Sequence, residues 1–359
     1  MKNTMQANDL ARLMVIASKV VNVKNMNVPL QSTLLAFDKN ELTLTASSGE
    51  TTVVLTAPCK SASQLTCLVQ TTLLARVSAS LEGEITYELK GDKLLMSDSS
   101  SRHSLSTIPT DEYPSFSLDG EILFALASDE LSGAFKSVSF ATAKEDSGYP
   151  VLSGICFSGK NKVVSLAATD RFVLAEEKFS VPNVEKFSCV VPASVASLLP
   201  ILSDSVTVKS SDHAIIFSSE GATVSVSKFS DDPAYPDYSQ LIPTKFATTV
   251  VAKSNELLKA LKSAMIYSDI SHVALTISAD QMTITGQSKE MWNGESELSV
   301  TATGTNDKFV LALNAKYLLE IVKVSNSDGI TLCFNLPTQP MVVRGDNKDR
   351  LGLLVPVKM

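Results

Sequence analysis

The segment "VAKSNELLKALKSAMIYS", Val251 to Ser268, spaces its apolar residues as an amphipathic helix does, at i, i+3, i+4 and i+7. The same pattern occurs twice more. "MQANDLARLMVIASKV" starts at Met5, and "LASDELSGAFKSVSFATA" starts at Leu126. Each copy begins with a small polar residue, and Asn8, Ser128 and Ser254 are the expected N-caps.

Outward from these helices a second trio matches. It comprises "VQTTLLARVSASLEGEITYEL" from Val69, "VPASVASLLPILSDSVTVKS" from Val191 and "LNAKYLLEIVKVSNSDGITLCF" from Leu313. Each reads as a short amphipathic helix, a polar turn and a strand opening Ile-Thr or Val-Thr. A third echo pairs "DEYPSF" at Asp111 with "PAYPDY" at Pro233. The intervening sequence alternates with period two, as in "ELTLTASSGETTVVLTAP" and "SVTVKSSDHAIIFSSEGATVSVSKF", the pattern of strands with one buried face. Order and spacing together predict an α+β chain of three tandem units, each with two helices packed on antiparallel sheets. The boundaries fall at 1–120, 121–245 and 246–359.

Composition narrows the function classes. With 359 residues, 44% hydrophobic and 19% charged, the chain is globular and long enough for two or three domains. No apolar run approaches the ~20 residues that span a bilayer, and "MKNTMQANDLARL" carries no secretory signal. A cytoplasmic location and no membrane association are expected. Cys59, Cys67, Cys156, Cys189 and Cys333 form no C-x-x-C pair, and His103, His213 and His272 lie far apart. No metal, disulfide framework or cofactor is expected, and the cysteines read as small core residues.

The net charge of −7 conceals an asymmetry. The expected helix windows are 7–24, 70–81, 128–144, 192–203, 253–266 and 315–325. They hold eleven basic residues (Arg12, Lys19, Lys24, Arg76, Lys136, Lys144, Lys253, Lys259, Lys262, Lys316 and Lys323) and five acidic ones, Asp9, Asp129, Glu130, Glu256 and Glu320. The whole chain has 31 basic against 38 acidic residues, so the remainder is strongly acidic. Any one such helix could merely have a solvated face. As a set they suggest a helix-lined surface facing a polyanion, held by charge without reading sequence.

Several motifs suggest chemistry and do not sustain it. "GICFSGKN", Gly154 to Asn161, lacks the final Ser/Thr of a phosphate-binding loop and runs into a strand. Gly159-Lys160-Asn161 reads instead as a hairpin turn. Glu145-Asp146 and Glu176-Glu177 read as solvated turn charges rather than an acid–base pair. Asp170, within "SLAATDRFVLAEEKF" (Ser165 to Phe179), reads as a turn residue bonding local backbone.

Four segments carry a family resemblance: "YPVLSGICF", "LAATDRFVLAE", "YPDYSQLIP" and the terminal "LLVPVKM". Together they resemble the bacterial DNA polymerase sliding clamp, the β subunit of the replicative polymerase. The resemblance covers the full length and makes the three units DNA-clamp domains. It implies a homodimer closed head to tail into a ring, with a helix-lined hole for double-stranded DNA, and no catalytic site. Its implied partners are a clamp loader and the replicative and other DNA polymerases, which carry short Gln/Leu/Phe-type peptides. The implied peptide cleft uses Leu152, Thr169, Arg171, Phe172, Leu174, Pro236, Leu241, Leu353 and Val355, with a neighbouring subsite of Asn314, Tyr317 and Pro340. DNA-facing residues would be Lys24, Arg76, Lys136, Tyr149, Lys259, Lys262 and Lys316. The subunit interface would pair Ile266 and Tyr267 with His103 and Leu105. Two departures stand out. Arg171-Phe172-Val173 replaces the family's usual Gly-His-Arg, and Val355-Pro356 replaces Met-Pro. They bear on which peptides the cleft prefers. Two other readings compete with the clamp. One is a β-rich repeat protein for binding or adhesion, and the other is an enzyme whose site leaves no local signature.

Overall fold

The computed structural model describes residues 3–61, 63–144, 147–230, 234–288, 293–304 and 309–358. Pro233, Glu145 and Asp146 lie outside the described residues. The first repeat runs β1 (Asn3–Gln6), α1 (Ala7–Val20), β2 (Ser32–Asp38), β3 (Glu41–Ser47), β4 (Thr51–Pro58), β5 (Leu65–Gln70), α2 (Thr71–Ser78), β6 (Glu84–Lys90), β7 (Lys93–Ser97) and β8 (Arg102–Ile108). The second runs β9 (Glu121–Ala127), α3 (Ser128–Ser139), β10 (Gly154–Lys160), β11 (Val163–Thr169), β12 (Val173–Ser180), β13 (Phe187–Pro192), β14 (Ser205–Ser210), β15 (Ala214–Ser219) and β16 (Ala222–Ser227). The third runs β17 (Thr248–Lys253), α4 (Ser254–Met265), β18 (His272–Ile277), β19 (Gln281–Gln287), β20 (Asn293–Thr303), β21 (Phe309–Asn314), α5 (Ala315–Ser325), β22 (Gly329–Phe334), β23 (Met341–Arg344) and β24 (Arg350–Leu354).

Each repeat therefore has eight strand positions, and they pair by one rule. Positions 1-6-7-8 form one four-stranded ribbon and positions 5-2-3-4 another. Position 4 of one repeat then pairs antiparallel with position 8 of the next. β4 meets β16 over Thr51–Leu55, and β12 meets β24 over Val173–Glu177. The helices close the ribbons by burying one stripe each. In α4 this stripe is Leu257, Ala260, Leu261 and Ala264, at the spacing the sequence predicts. Burying a Leu this fully contributes about 1.5–3 kcal/mol per side chain.

The chain divides into two compact units. One holds residues 1–132 and 197–228, the other 133–196 and 229–359. The first contains one twelve-stranded sheet and the second another, so the middle repeat contributes a ribbon to each.

Three local expectations are corrected. The window 192–203 is not an α-helix but two 3-10 turns, Ala193–Ser197 and Leu199–Ile201. Pro200 explains this, since it offers no N–H and its ring clashes with the preceding turn. The expected N-caps do not cap. α1 and α4 begin after Gln6 and Lys253 without side-chain caps, and the hydroxyls of Ser128 and Ser254 instead donate to the carbonyls of Leu202 and Ser327. Those bonds belong to a feature common to all repeats: the N–H groups of Ala7, Ser128 and Ser254 donate to the carbonyls of Gly83, Asp204 and Asp328, just before position 6. The hairpin after β10 turns at Asn161-Lys162, both with positive φ (54° and 66°), one residue later than expected. Its counterpart in the first repeat, Lys39-Asn40, has the same geometry. Gly159 lies inside β10, where a Cβ would come within 2.4 Å of the Phe187 ring.

Candidate functional site: the turn between β11 and β12

The segment Thr169–Val173 reverses the chain between β11 and β12 in the second unit. Asp170 Oδ1 accepts from the N–H of Phe172 (2.8 Å) and of Val173 (2.9 Å), as expected of a turn carboxylate. Thr169 adds a hydroxyl bond to the Val173 carbonyl at 2.7 Å and accepts from Arg171 N at 3.1 Å. Arg171 takes φ +82°, a conformation that favours glycine.

Two phenols brace this turn. Tyr317, on the first turn of α5, donates a short bond to Asp170 Oδ2. Tyr235 accepts from Thr169 N at 3.1 Å. Burial raises the phenol of Tyr317 above its ordinary range, and the bond and charge of Asp170 raise it further. Tyr235 and Tyr238 are likewise raised, chiefly by burial. All three stay protonated at neutral pH.

The expected cleft residues divide into a floor, a rim and a brace. Leu174 and Leu353 face each other across β12 and β24 and are 2% and 3% exposed, within a cluster that includes Ala167, Cys333, Val342 and Leu351. Val355 packs on that cluster and its N–H donates to the Phe172 carbonyl at 2.9 Å. Tyr238 and Ile242 pack on it from the segment that carries Leu241. Leu152 belongs to an adjoining cluster with Val151, Val190 and Tyr235. Thr169 is buried. The rim is Phe172 (53% exposed), Leu241 (59%), Arg171 and Pro236. Asn314 caps α5 by accepting from Lys316 N, and half-buried Pro340 precedes β23.

Glu176 and Glu177 are not solvated turn charges. Both are buried on β12 and paired: Glu176 with Lys178 at 2.8 Å, Glu177 with Arg350. Arg350 also donates to the Val324 carbonyl, tying β24 to the end of α5. A strand position beside an incoming arginine makes the difference, since a buried carboxylate persists only when paired.

Lys24, Arg76, Lys136, Lys259, Lys262 and Lys316 are exposed, and no carboxylate pairs with them among the described residues. Lys24 lies in the loop after α1 rather than on the helix. Lys253 and Lys323, in contrast, form surface pairs with Glu256 and Glu320. Lys24 and Arg76 belong to the first compact unit, and Lys136, Tyr149, Lys259, Lys262 and Lys316 to the second. His103 is half-buried and Leu105 buried on β8, whose outer side is open over Arg102–Ser106 among the described residues. Ile266 is 77% exposed just past α4. Tyr267 lies against Gly294, where a Cβ would come within 2.2 Å of its ring. Gly294 faces Gly286 across β20 and β19, and a Cβ on Gly286 would meet the Ala264 carbonyl at 1.9 Å. This glycine pair seats the end of α4 directly on the sheet. Sequence reasoning missed it because the two lie on different strands.

Comparison with known proteins agrees with the repeat architecture. Three family models match in order: the N-terminal domain of the DNA polymerase III beta subunit over residues 1–117, its central domain over 125–237 and its C-terminal domain over 239–357. The beta sliding clamp of Pseudomonas aeruginosa is 23% identical over 99% of both chains, and that of Proteus mirabilis 28% over 69% of each. The crystal structure of the Bacillus subtilis sliding clamp superposes with a TM-score of 0.93 at 18% identity, covering 100% of this chain and 99% of that one. A Pseudomonas aeruginosa clamp structure gives 0.92 at 22% identity with full coverage of both. With three successive domains matched and two clamp structures reproducing the fold, the chain belongs to the DNA polymerase III beta subunit family, the bacterial beta sliding clamps.

Proposed function

We propose that two copies of this chain close head to tail around double-stranded DNA and tether DNA polymerases to it. The role is that of a processivity factor rather than an enzyme or an adhesion protein, and family membership supports it. The single observation that carries ring closure is the pairing rule between repeats. Both seams use the first five residues of position 4 and of position 8. The rule leaves β20 open over 293–299 and β8 open over Arg102–Ser106 among the described residues. Two such edges are complementary, and a second copy supplies each with the other. The open edges carry opposite charge, Glu295 and Glu297 on β20 against Arg102 on β8. Ile266, Tyr267 and His103 would flank this seam, while Leu105 would contribute through its backbone.

Lys24, Arg76, Lys136, Lys259, Lys262 and Lys316, with Tyr149, would face the duplex, and unpaired cations suit sequence-independent phosphate contact. Leu152, Thr169, Leu174, Leu353 and Val355 would underlie the peptide cleft, Arg171, Phe172, Pro236 and Leu241 would form its mouth, and Asn314, Tyr317 and Pro340 its neighbouring subsite. Partners would be a clamp loader that opens the ring and polymerases bearing Gln-x-x-Leu-Phe-type peptides, all in the cytoplasm. The repeat borders are placed near 120 and 246.

Two measurements test this. Sedimentation should give twice 38.4 kDa. Loaded protein should stay on nicked circular DNA through a high-salt wash and leave once the circle is cut. Equal retention on both forms defeats encirclement.

A further inference from the structure

We propose that Arg171 is a specificity-determining residue of the peptide cleft, and that its guanidinium takes the carboxylate of an Asp or Glu in the partner peptide. The inference rests on the peptide-binding reading above and adds to it the chemistry of one ligand side chain.

Four observations converge. First, the guanidinium lies over the Tyr149 ring, 4.4 Å from its centroid. This cation–π contact anchors the guanidinium on the ring and leaves its other N–H donors facing outward. Second, no acceptor among the described residues takes a hydrogen bond from those donors, and no described carboxylate pairs with them. Third, the acidic groups on the flanking segments are already committed. Asp170 is engaged by Phe172 N, Val173 N and Tyr317, and Asp237 by Ser239 and Gln240. Exposed Lys316 adjoins Tyr317, so among the described residues the unpaired charge along these segments is positive. Fourth, the fork is flanked by apolar rim, with Phe172 next to it in sequence and both Phe172 and Tyr149 about half exposed.

A planar, oriented, unpaired fork beside apolar anchors suits bidentate capture of a carboxylate next to hydrophobic side chains. The backbone supports a functional reading as well. Arg171 holds φ +82°, which glycine would adopt without strain, so its side chain is carried at a backbone cost. A peptide is favoured over a DNA phosphate because the turn that carries Arg171 is built on the buried Leu174–Leu353 floor and flanked by the exposed apolar Phe172 and Leu241; Tyr149 and Lys316 are also assigned towards the duplex, so the test includes a DNA readout.

The test is a two-by-two binding experiment by fluorescence anisotropy on the full-length protein. The peptides are Gln-Ser-Asp-Leu-Phe and Gln-Ser-Asn-Leu-Phe, and the proteins are wild type and Arg171→Gly. Glycine accepts the turn's φ, so the fold is retained, and far-UV circular dichroism checks it. Wild type is expected to prefer the Asp peptide by about tenfold, as one charge-assisted bond gives. Arg171→Gly should reduce this preference to near one, mainly by weakening the Asp peptide. Arg171→Lys, which keeps the charge but loses the fork, should fall between. Added salt should shrink the wild-type preference. Equal affinity of wild type for both peptides, or an equal loss for both in Arg171→Gly, overturns the proposal while leaving the cleft intact. If wild type binds neither peptide, the cleft reading fails and the proposal fails with it. If Arg171→Gly weakens retention on primed circular DNA with both peptide affinities unchanged, the residue belongs to DNA phosphate and the proposal is also overturned.

Discussion

Asp170 shows how far a single residue can be read from sequence. Its Thr-Asp-Arg context tempts an enzymologist, yet its turn role was legible, because an Asx side chain capping nearby N–H groups is a local event. Its bond to Tyr317 was not, since 147 positions separate the partners and nothing local signals it. Tyr317→Phe should cost about 1.5–3 kcal/mol in urea unfolding, the range for a hydrogen bond to a charged group. The pH dependence follows from the raised phenol. A folded-state value above the ordinary ~10 stabilises fully below that pH, and the contribution disappears as pH climbs through the raised value. The difference between wild type and Tyr317→Phe should therefore be flat through neutrality and shrink in alkali. A difference that grows with pH would contradict this. Leu174 carries another lesson. Its floor position came from family resemblance, and at 2% exposure a charged substitution there would unfold the strand pair before it tested binding. Leu241→Ser is the better probe of the cleft, with peptide affinity expected to fall several-fold, by the ~1 kcal/mol of one exposed apolar contact, at unchanged stability.

At the level of elements, the three copies of the first helix were readable because their 3.6-residue periodicity is carried by neighbours in sequence. The second helix of the middle repeat was misread, since Pro200 outweighs an otherwise matching apolar pattern. The Glu177–Arg350 pair was misread too, its members being 173 positions apart. It joins β12 to β24 and, through the Val324 carbonyl, to α5. Arg350→Met should cost about 3–5 kcal/mol, because it strands a buried carboxylate. The double change with Glu177→Gln should recover much of that loss, as read by thermal unfolding. If single and double variants are equally destabilised, the arginine acts by packing alone. The Gly286–Gly294 pair makes a second demand. Gly294→Val must displace Tyr267, so it should weaken dimerisation more than it lowers the melting temperature of the monomer.

For the whole molecule, three-unit architecture and acidic balance were legible in the sequence, whereas the pairing rule between repeats needed the strand registers. That rule yields a charge-swap prediction. Arg102→Glu should shift the protein from dimer to monomer in sedimentation, and combining it with Glu295→Arg and Glu297→Arg should restore the dimer. Failure of the combined variant to recover would place the seam elsewhere. The alternation of backbone direction adds a sharper form. Thr107 N donates towards β7, so Ser104, an odd number of residues away, directs its N–H to the open side. Ser104→Pro should therefore abolish the dimer while sparing the β7–β8 ladder. The half-repeat offset between copies and compact units has a last consequence, for anyone who would dissect the chain. Cleavage near 120 strips β4 of β16, and cleavage near 246 strips β12 of β24, so the middle copy expressed alone would present two raw strand borders and self-associate. What was duplicated is one thing and what folds is another, and no excision at the copy borders yields an autonomous piece from the centre.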